Sequence, residues 1–192
     1  MRTSALSVPE AMKRVDRALF VPEALRSHAY DDAALPIGHR QTISQPTMVR
    51  LLLEELELAA GERVLDVGTG SGYQAAILAE LGADVYTIER IPALAEQARA
   101  RLPPSVHVKV GDGTQGWPEH APYDAIVVAA AAAEPPKALL EQLAPGGRLV
   151  IPIGTRRQQV LHIYRDGTVT KTVGCRFVPL VPNDDVCAAS VR

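Results

Sequence analysis

The run Val64-Leu65-Asp66-Val67-Gly68-Thr69-Gly70-Ser71-Gly72 constrains this chain more than any other segment. An apolar stretch passes a carboxylate and enters a turn with glycine at every second position. Glycine there allows backbone conformations and close approaches that a Cβ forbids. A helix following such a turn starts with its N–H groups directed toward whatever the turn holds. Seventeen residues after Gly72, the apolar run 84–88 ends at Glu89. An acidic side chain at that place can hold both hydroxyls of a ribose. The two features predict a strand–turn–helix unit that binds a nucleoside.

The rest of the chain fits that unit into a larger plan. From Gly61 onward, short β-rich runs at 63–67, 84–88, 106–110, 124–128 and 148–151 alternate with helical patterns at 72–80, 92–102 and 136–143. Such alternation implies right-handed βαβ units and a parallel sheet. After Gly154 it stops, and runs at 158–164 and 169–178 flank Arg165-Asp166-Gly167, a hairpin signal. The expected fold class is α/β: a Rossmann-like, mainly parallel sheet with a C-terminal antiparallel hairpin, the plan of S-adenosylmethionine-dependent methyltransferases. Upstream, Ser7 and Glu10 read as a capping box, with Met12, Val15 and Leu19 recurring at helical spacing. The stretch 21–42 contains Pro22, Pro36 and Gly38 and no clean period. It is expected to be irregular and, at that length, functional. A second helix is expected at 45–58, with Ser44 as its N-cap and Pro46 in its first turn. Residues 1–60 then form an N-terminal helical and substrate-cleft segment packed on a 61–192 core, one structural domain overall.

Charge and composition exclude several function classes. A net charge of −2 gives no electrostatic case for nucleic acid or an anionic membrane. The longest apolar stretch, from Ala125 to Ala133, is too short to span a bilayer. The N-terminus carries Arg2, Glu10, Lys13, Arg14 and Asp16 without an apolar signal core. Cys175 and Cys187 supply no disulfide framework and are expected to be reduced thiols of a cytoplasmic protein. His28, His39, His107, His120 and His162 show no metal-ligand spacing. Trp117 has no basic patch around it and is expected to pack rather than stack on a base. A cytoplasmic monomer without metal, membrane or nucleic-acid partner is the expectation.

The spacing of the glycines bears on which nucleoside is bound. A dinucleotide fingerprint places its third small residue five positions after the first, and here that position is Tyr73. Glycines at 68, 70 and 72 suit close approach of a ligand better than tight helix packing. Asp66 would repel a pyrophosphate and attract a sulfonium or ammonium group. Asp112, in Gly111-Asp112-Gly113 after the third strand, could accept from the exocyclic amine of an adenine. Each residue alone has an ordinary reading as a turn former or solvated strand end. Together, acidic groups after three successive strands would face one crevice at the carboxyl edge of the sheet. That combination favours S-adenosylmethionine.

Over almost its whole length the chain resembles the protein-L-isoaspartate O-methyltransferases. The most specific blocks lie upstream: Ala29-Tyr30-Asp31-Asp32-Ala33-Ala34-Leu35-Pro36-Ile37-Gly38 and Gln41-Thr42-Ile43-Ser44-Gln45-Pro46. Further blocks are the glycine turn with Tyr73-Gln74-Ala75-Ala76, Ile88-Glu89-Arg90-Ile91, Gly111-Asp112-Gly113, Gly116-Trp117, Gly146-Gly147-Arg148 and Arg176-Phe177-Val178-Pro179-Leu180. The resemblance implies transfer of a methyl group from S-adenosylmethionine to the α-carboxylate of L-isoaspartyl residues in damaged proteins and peptides. The ester then recloses to a succinimide, a route back to normal aspartate. It implies Ser44 as the catalytic residue. Cofactor contacts are implied for Gln41, Thr42, Ile43, Ser44, Asp66, Gly68, Thr69, Gly70, Ser71, Gly72, Glu89, Arg90, Asp112 and Gly113. Substrate contacts are implied for Ile37, Gly38, Thr42, Ser44, Val178, Pro179 and Leu180.

A carboxylate is ionised at neutral pH and needs no general base, so the lack of a Cys-His or Ser-His-Asp set is expected. Ser44 can orient the acceptor, cap the next helix, or do both. Arg40 stands where bacterial members of the family usually carry glycine, and either pairs with a substrate carboxylate or is a solvated loop residue. Ala129 and Val181 also depart from the usual pattern. Two other functions remain open. One is a methyltransferase dedicated to one modified peptide, whose relatives carry an extra C-terminal region. The twelve residues after Leu180 favour general repair. The other is a non-catalytic S-adenosylmethionine-binding module, against which the intact Thr42-Ile43-Ser44 and Glu89 speak.

Overall fold

The computed structural model describes residues 6–182 of the 192. The first helix, α1 (Val8–Arg14), opens on the expected capping box, with the Ser7 N–H donating to Glu10 at 2.9 Å. Two short 3₁₀ helices follow, Arg17–Phe20 and Glu23–His28. The stretch expected to be irregular then contains an antiparallel hairpin, β1 (Leu35–Gly38) and β2 (Gln41–Ile43). Its two-residue tip, His39-Arg40, has φ of 50° and 58°. Such tips usually carry asparagine, aspartate or glycine, which explains why the hairpin left no signal in the sequence.

Helix α2 (Pro46–Glu54) starts one residue later and ends earlier than expected, and its N-cap is Gln45 rather than Ser44. The capping carboxylate comes from far upstream. Asp32 accepts from the Thr47 N–H at 3.0 Å, the Thr47 hydroxyl at 2.8 Å and the Gln45 amide at 2.9 Å. That leaves the Ser44 side chain out of the cap.

The alternating region forms β3 (Arg63–Val67), α3 (Tyr73–Glu80), β4 (Asp84–Glu89), α4 (Pro92–Arg99), β5 (His107–Val110), β6 (Tyr123–Val128), α5 (Lys137–Glu141), β7 (Leu143–Gly154), β8 (Gln159–Arg165) and β9 (Thr168–Cys175). One seven-stranded sheet results, in the order β5-β4-β3-β6-β7-β8-β9. β5 to β7 are parallel, and β8 and β9 are the antiparallel hairpin. That hairpin turns through Asp166 and Gly167, at φ of 49° and 73°, as its Asp-Gly sequence requires. The chain leaves β3 toward β4 and β5, then returns to the other side of β3 as β6. Between β3 and β6 lies the switch point at which open α/β sheets bind ligands.

Alternation along β3 distributes its side chains between two cores. Val64 joins Ala11, Val49, Leu52, Ile77 and Leu94 on the face covered by α1 to α4. Leu65 and Val67 join Ile126, Val128 and Leu139 on the face covered by α5. The N-terminal segment therefore shares a core with the sheet. A polar anchor adds to it: buried Arg148 on β7 donates to the Leu56 carbonyl, to the Glu57 carbonyl at 3.2 Å and to the Asp124 carbonyl at 3.0 Å, and pairs with both oxygens of Glu62. No helix among the described residues is long and apolar enough to cross a membrane.

Candidate active site

The glycine turn is pinned to the end of β4. The N–H groups of Gly68 and Thr69 both donate to the Ile88 carbonyl, at 2.9 and 3.1 Å. Gly68 and Gly70, at φ of 97° and 53°, meet the conformational demand that their sequence announced. Gly72 does something else. Its φ is 93°, and a Cβ there would come within 3.3 Å of Leu102 and 3.4 Å of Ala98 at the end of α4. The third glycine thus serves helix packing, which its spacing alone did not suggest.

A cavity of about 290 Å³ opens above this turn. Its volume sits at the lower limit for small-ligand sites, about 300 Å³. Its walls include Gln41, Thr42, Ile43 and Ser44 from β2 and the link to α2, and Gly68, Thr69, Gly70 and Ser71 from the turn. Glu89, Arg90 and Gly113 close one side, and Val178, Pro179 and Leu180 the other. The structure therefore brings together most of the residues singled out in the sequence.

Besides Gly72, four singled-out residues lie outside the cavity walls. Asp66 is fully buried, on the face of β3 that α3 covers rather than at the edge of the sheet. It accepts from the Gln74 amide and the Thr87 hydroxyl, both at 2.8 Å. Burial raises its carboxyl to about 6, against the lowering effect of those two bonds. It stands behind the turn as part of its support. Asp112 caps a 3₁₀ turn, one oxygen accepting from the Thr114 N–H at 2.8 Å and its hydroxyl at 2.7 Å. Ile37 is buried, and a Cβ on Gly70 would lie 3.4 Å from its Cδ1. Gly38 forms the exposed end of β1. Neither Ile37 nor Gly38 is a cavity wall.

Glu89 is the carboxylate that the cavity does receive. Its oxygens accept from the Gly70 and Ile91 N–H groups, each at 2.9 Å, and the side chain is otherwise buried. A carboxylate has about four lone-pair sites, so two remain for a diol. This acceptor set fits a ribose. Val67 and Ile88 add apolar wall beneath it.

A second groove, of about 800 Å³, shares Thr42, Ser44, Ala129 and Val178 with the cavity. It continues along Gln45, Met48, Cys175, Arg176 and Phe177. Ser44 thus lies where the two spaces meet, and its hydroxyl bonds to nothing among the described residues. The closing segment is held in place from two sides. Ala131 accepts from the Leu180 N–H at 2.7 Å and donates to the Val178 carbonyl at 2.8 Å. The Gln159 amide bonds both to the Phe177 N–H, at 2.6 Å, and to its carbonyl, at 3.2 Å.

Sequence reasoning missed Arg17. It is 1% exposed, donates to the carbonyls of Ala29 at 2.7 Å and Ala33 at 3.4 Å, and lies 5.0 Å above the ring of Tyr73, itself a cavity wall. An arginine in a helical run gives no sign that it will be buried. Trp117 packs edge-on to Tyr86 at 5.6 Å, as expected of a core residue. Cys175 is a free, half-buried thiol, whereas Cys187 lies outside the described residues. No cluster of metal-ligating side chains occurs among the described residues.

The family model of the protein-L-isoaspartate(D-aspartate) O-methyltransferases matches residues 3–185. This chain belongs to that family. Among the relatives is a protein-L-isoaspartate O-methyltransferase of Trichlorobacter lovleyi, 54% identical over 181 residues, covering 90% of this chain and 83% of the relative. One of Aeropyrum pernix is 56% identical over 187 residues, covering 91% of this chain and 72% of the relative. A Plasmodium falciparum chain assigned to the protein-L-isoaspartate O-methyltransferases, solved with S-adenosyl-L-homocysteine, superposes with a TM-score of 0.80 at 29% identity, covering 95% of this chain and 93% of that one. A second solved protein-L-isoaspartate O-methyltransferase gives the same TM-score at 28% identity, and this chain spans 61% of its length.

Proposed function

We propose that this protein methylates the α-carboxylate of L-isoaspartyl residues in damaged proteins and peptides, with S-adenosylmethionine as donor, and so starts their repair through a succinimide. The observation that carries the reading is Ser44, a hydroxyl without a partner among the described residues, at the meeting of the cavity and the groove. The cofactor, when bound, supplies a methyl group on a sulfonium centre.

Everything else falls to the chain's own residues. Glu89 holds the ribose hydroxyls with its remaining lone pairs, and the 68–71 turn accommodates the backbone-close part of the ligand. Gly113, steadied by the Asp112 cap, closes the adenine end. The acceptor arrives through the groove already ionised, so no residue has to remove a proton. Ser44 donates a hydrogen bond to one carboxylate oxygen and thereby aims the other at the methyl carbon. Val178, Pro179 and Leu180 cover the meeting point and keep water from it. Positioning and exclusion of water are then the whole of the catalysis, as an in-line transfer between two bound groups allows. The protein acts as a cytoplasmic monomer in this reading, and a monomeric mass in light scattering checks the second point.

Replacing Ser44 with alanine removes one hydrogen bond to a charged group, about 1.5–3 kcal/mol, or roughly 10- to 150-fold in turnover. The dissociation constant of S-adenosylhomocysteine should stay within a factor of about two. Undiminished turnover of an isoaspartyl peptide by Ser44→Ala would remove the role given to this residue. The reading as a whole is checked with labelled S-adenosylmethionine and matched peptides. Base-labile label should enter the isoaspartyl peptide and not its aspartyl twin.

A further inference from the structure

Arginines on this surface differ in how they are paired. Arg14, Arg50, Arg63, Arg99 and Arg165 each stand against a carboxylate, of Glu80, Glu54, Asp84, Glu96 and Glu57. Arg40, Arg156, Arg157 and Arg176 have no ion pair and no side-chain hydrogen bond among the described residues. All four line the cavity or the groove, Arg40 and Arg156 the first, Arg157 and Arg176 the second; of the other described arginines without an ion pair or side-chain hydrogen bond, Arg90 lines the cavity beside Glu89, and Arg26 and Arg101 line neither. Among the described residues, no aspartate or glutamate lines the groove. Among them the cavity has only Glu89, which is buried and bonded to two backbone amides. A chain of net charge −2 thus places unneutralised cations around this opening.

The backbone at Arg40 points the same way. Its φ of 58° is a conformation that glycine adopts freely and a long side chain does not. A charged residue held there against that preference is the kind of local strain that gathers at functional sites. The four arginines come from separate places, the β1–β2 tip, the β7–β8 loop and the stretch after β9, so no single local turn explains their convergence.

We propose that these four arginines form a cationic rim that selects isoaspartyl sites flanked by acidic side chains. The inference rests on the methyl-transfer reading above and adds the class of substrate. The acceptor carboxylate itself is drawn toward the opening. Aspartate or glutamate beside it gains one or two further exposed pairs along the groove, and lysine or arginine beside it is repelled. Exposed pairs of this kind are weak one by one, and two or three together give roughly tenfold in binding. Salt at about 0.5 M should erase most of that difference, since the groups are exposed.

The test uses three isoaspartyl peptides that differ only in flanks of glutamate, glutamine or lysine, each with an aspartyl twin. Binding is read by fluorescence anisotropy with S-adenosylhomocysteine present, and methylation is read separately. The rim predicts tightest binding for the glutamate-flanked isoaspartyl peptide, about tenfold over the lysine-flanked one, carried in KM rather than kcat. In Arg157→Gln/Arg176→Gln, and separately in Arg40→Gly, the glutamate-flanked peptide should fall toward the glutamine-flanked one. Arg40→Gly relieves backbone strain, so loss of folding does not confound it. Equal binding of the three peptides, or a preference that survives in both variants, overturns the rim. Absence of methylation on every peptide overturns the functional reading instead, while the flank dependence of binding still decides the rim.

Discussion

The floor of the cavity and its outer wall are built on opposite principles. Beneath the glycine turn, polar groups form a closed set. Gln74 and Thr87 both reach Asp66, Thr69 bonds Thr87 at 2.6 Å, and Glu89 is fixed by two amides. Almost nothing there is exposed. The outer wall, from the β1–β2 hairpin and the segment after β9, is only partly buried and hangs from a few remote anchors: Asp32, Ala131 and Gln159. In the reading proposed above, the floor meets one invariant small molecule, and a prearranged set of donors and acceptors suits it. In the same reading the wall admits many peptides, and a few fixed points with exposed edges between them suit that task.

Three variants separate these two ways of building. Arg148→Met strikes the joint between them, because Arg148 ties the end of α2 to β7 and leaves Glu62 unpaired when removed. Breaking a buried pair in this way should lower stability by about 3–5 kcal/mol, read from urea unfolding. A loss below about 1 kcal/mol would mean that apolar contact alone fastens the N-terminal segment.

Asp66→Asn probes the floor through pH. The folded carboxyl is raised to about 6, above its unfolded value near 4. The unfolded chain therefore ionises first as pH rises, and stability falls between about pH 4 and 6 before levelling off. The asparagine variant lacks that fall. Its stability relative to the parent should improve by about 3 kcal/mol between pH 4 and pH 7, from the two-unit difference. A pH-independent difference would place the ionised form comfortably in the floor.

Asp32→Ala tests the wall and has the smallest effect. Loss of a helix cap costs about 1 kcal/mol of stability. The sharper readout is catalytic: the Ser44-Gln45 link should loosen, so kcat falls while cofactor affinity holds. If affinity falls equally, floor and wall are not separable.

What the sequence revealed follows the same division. The strand–helix alternation, the Asp-Gly hairpin and the place of Glu89 at the end of β4 were all legible, because each depends on a local period or a turn residue with one conformational use. The β1–β2 hairpin was not. Its strands are three and four residues long, and its tip uses His39 and Arg40 where the usual turn residues are absent. The capping role of Asp32 was hidden by the fifteen residues that separate it from Thr47. Asp66 was read as a ligand because its place in the chain shows where the strand ends, not which face of the pleat it occupies. Arg17 was invisible because burial of a charge is a tertiary event.

The loop after Gly113 is held by a coupled pair of residues. Gln142, nearly buried, accepts from the Trp117 N–H and donates to the Gln115 carbonyl, both at 2.8 Å, and so occupies the space where a Cβ on Gly116 would project. Gly116 and Gln142 behave as lock and key within one chain. A descendant that gains a side chain at 116 has to give up the amide at 142 in the same step or soon after. The two positions are therefore expected to drift as a pair, twenty-six places apart in the chain. A residue with no place in the cavity would then record, in its history of replacement, how the loop after Gly113 has been held.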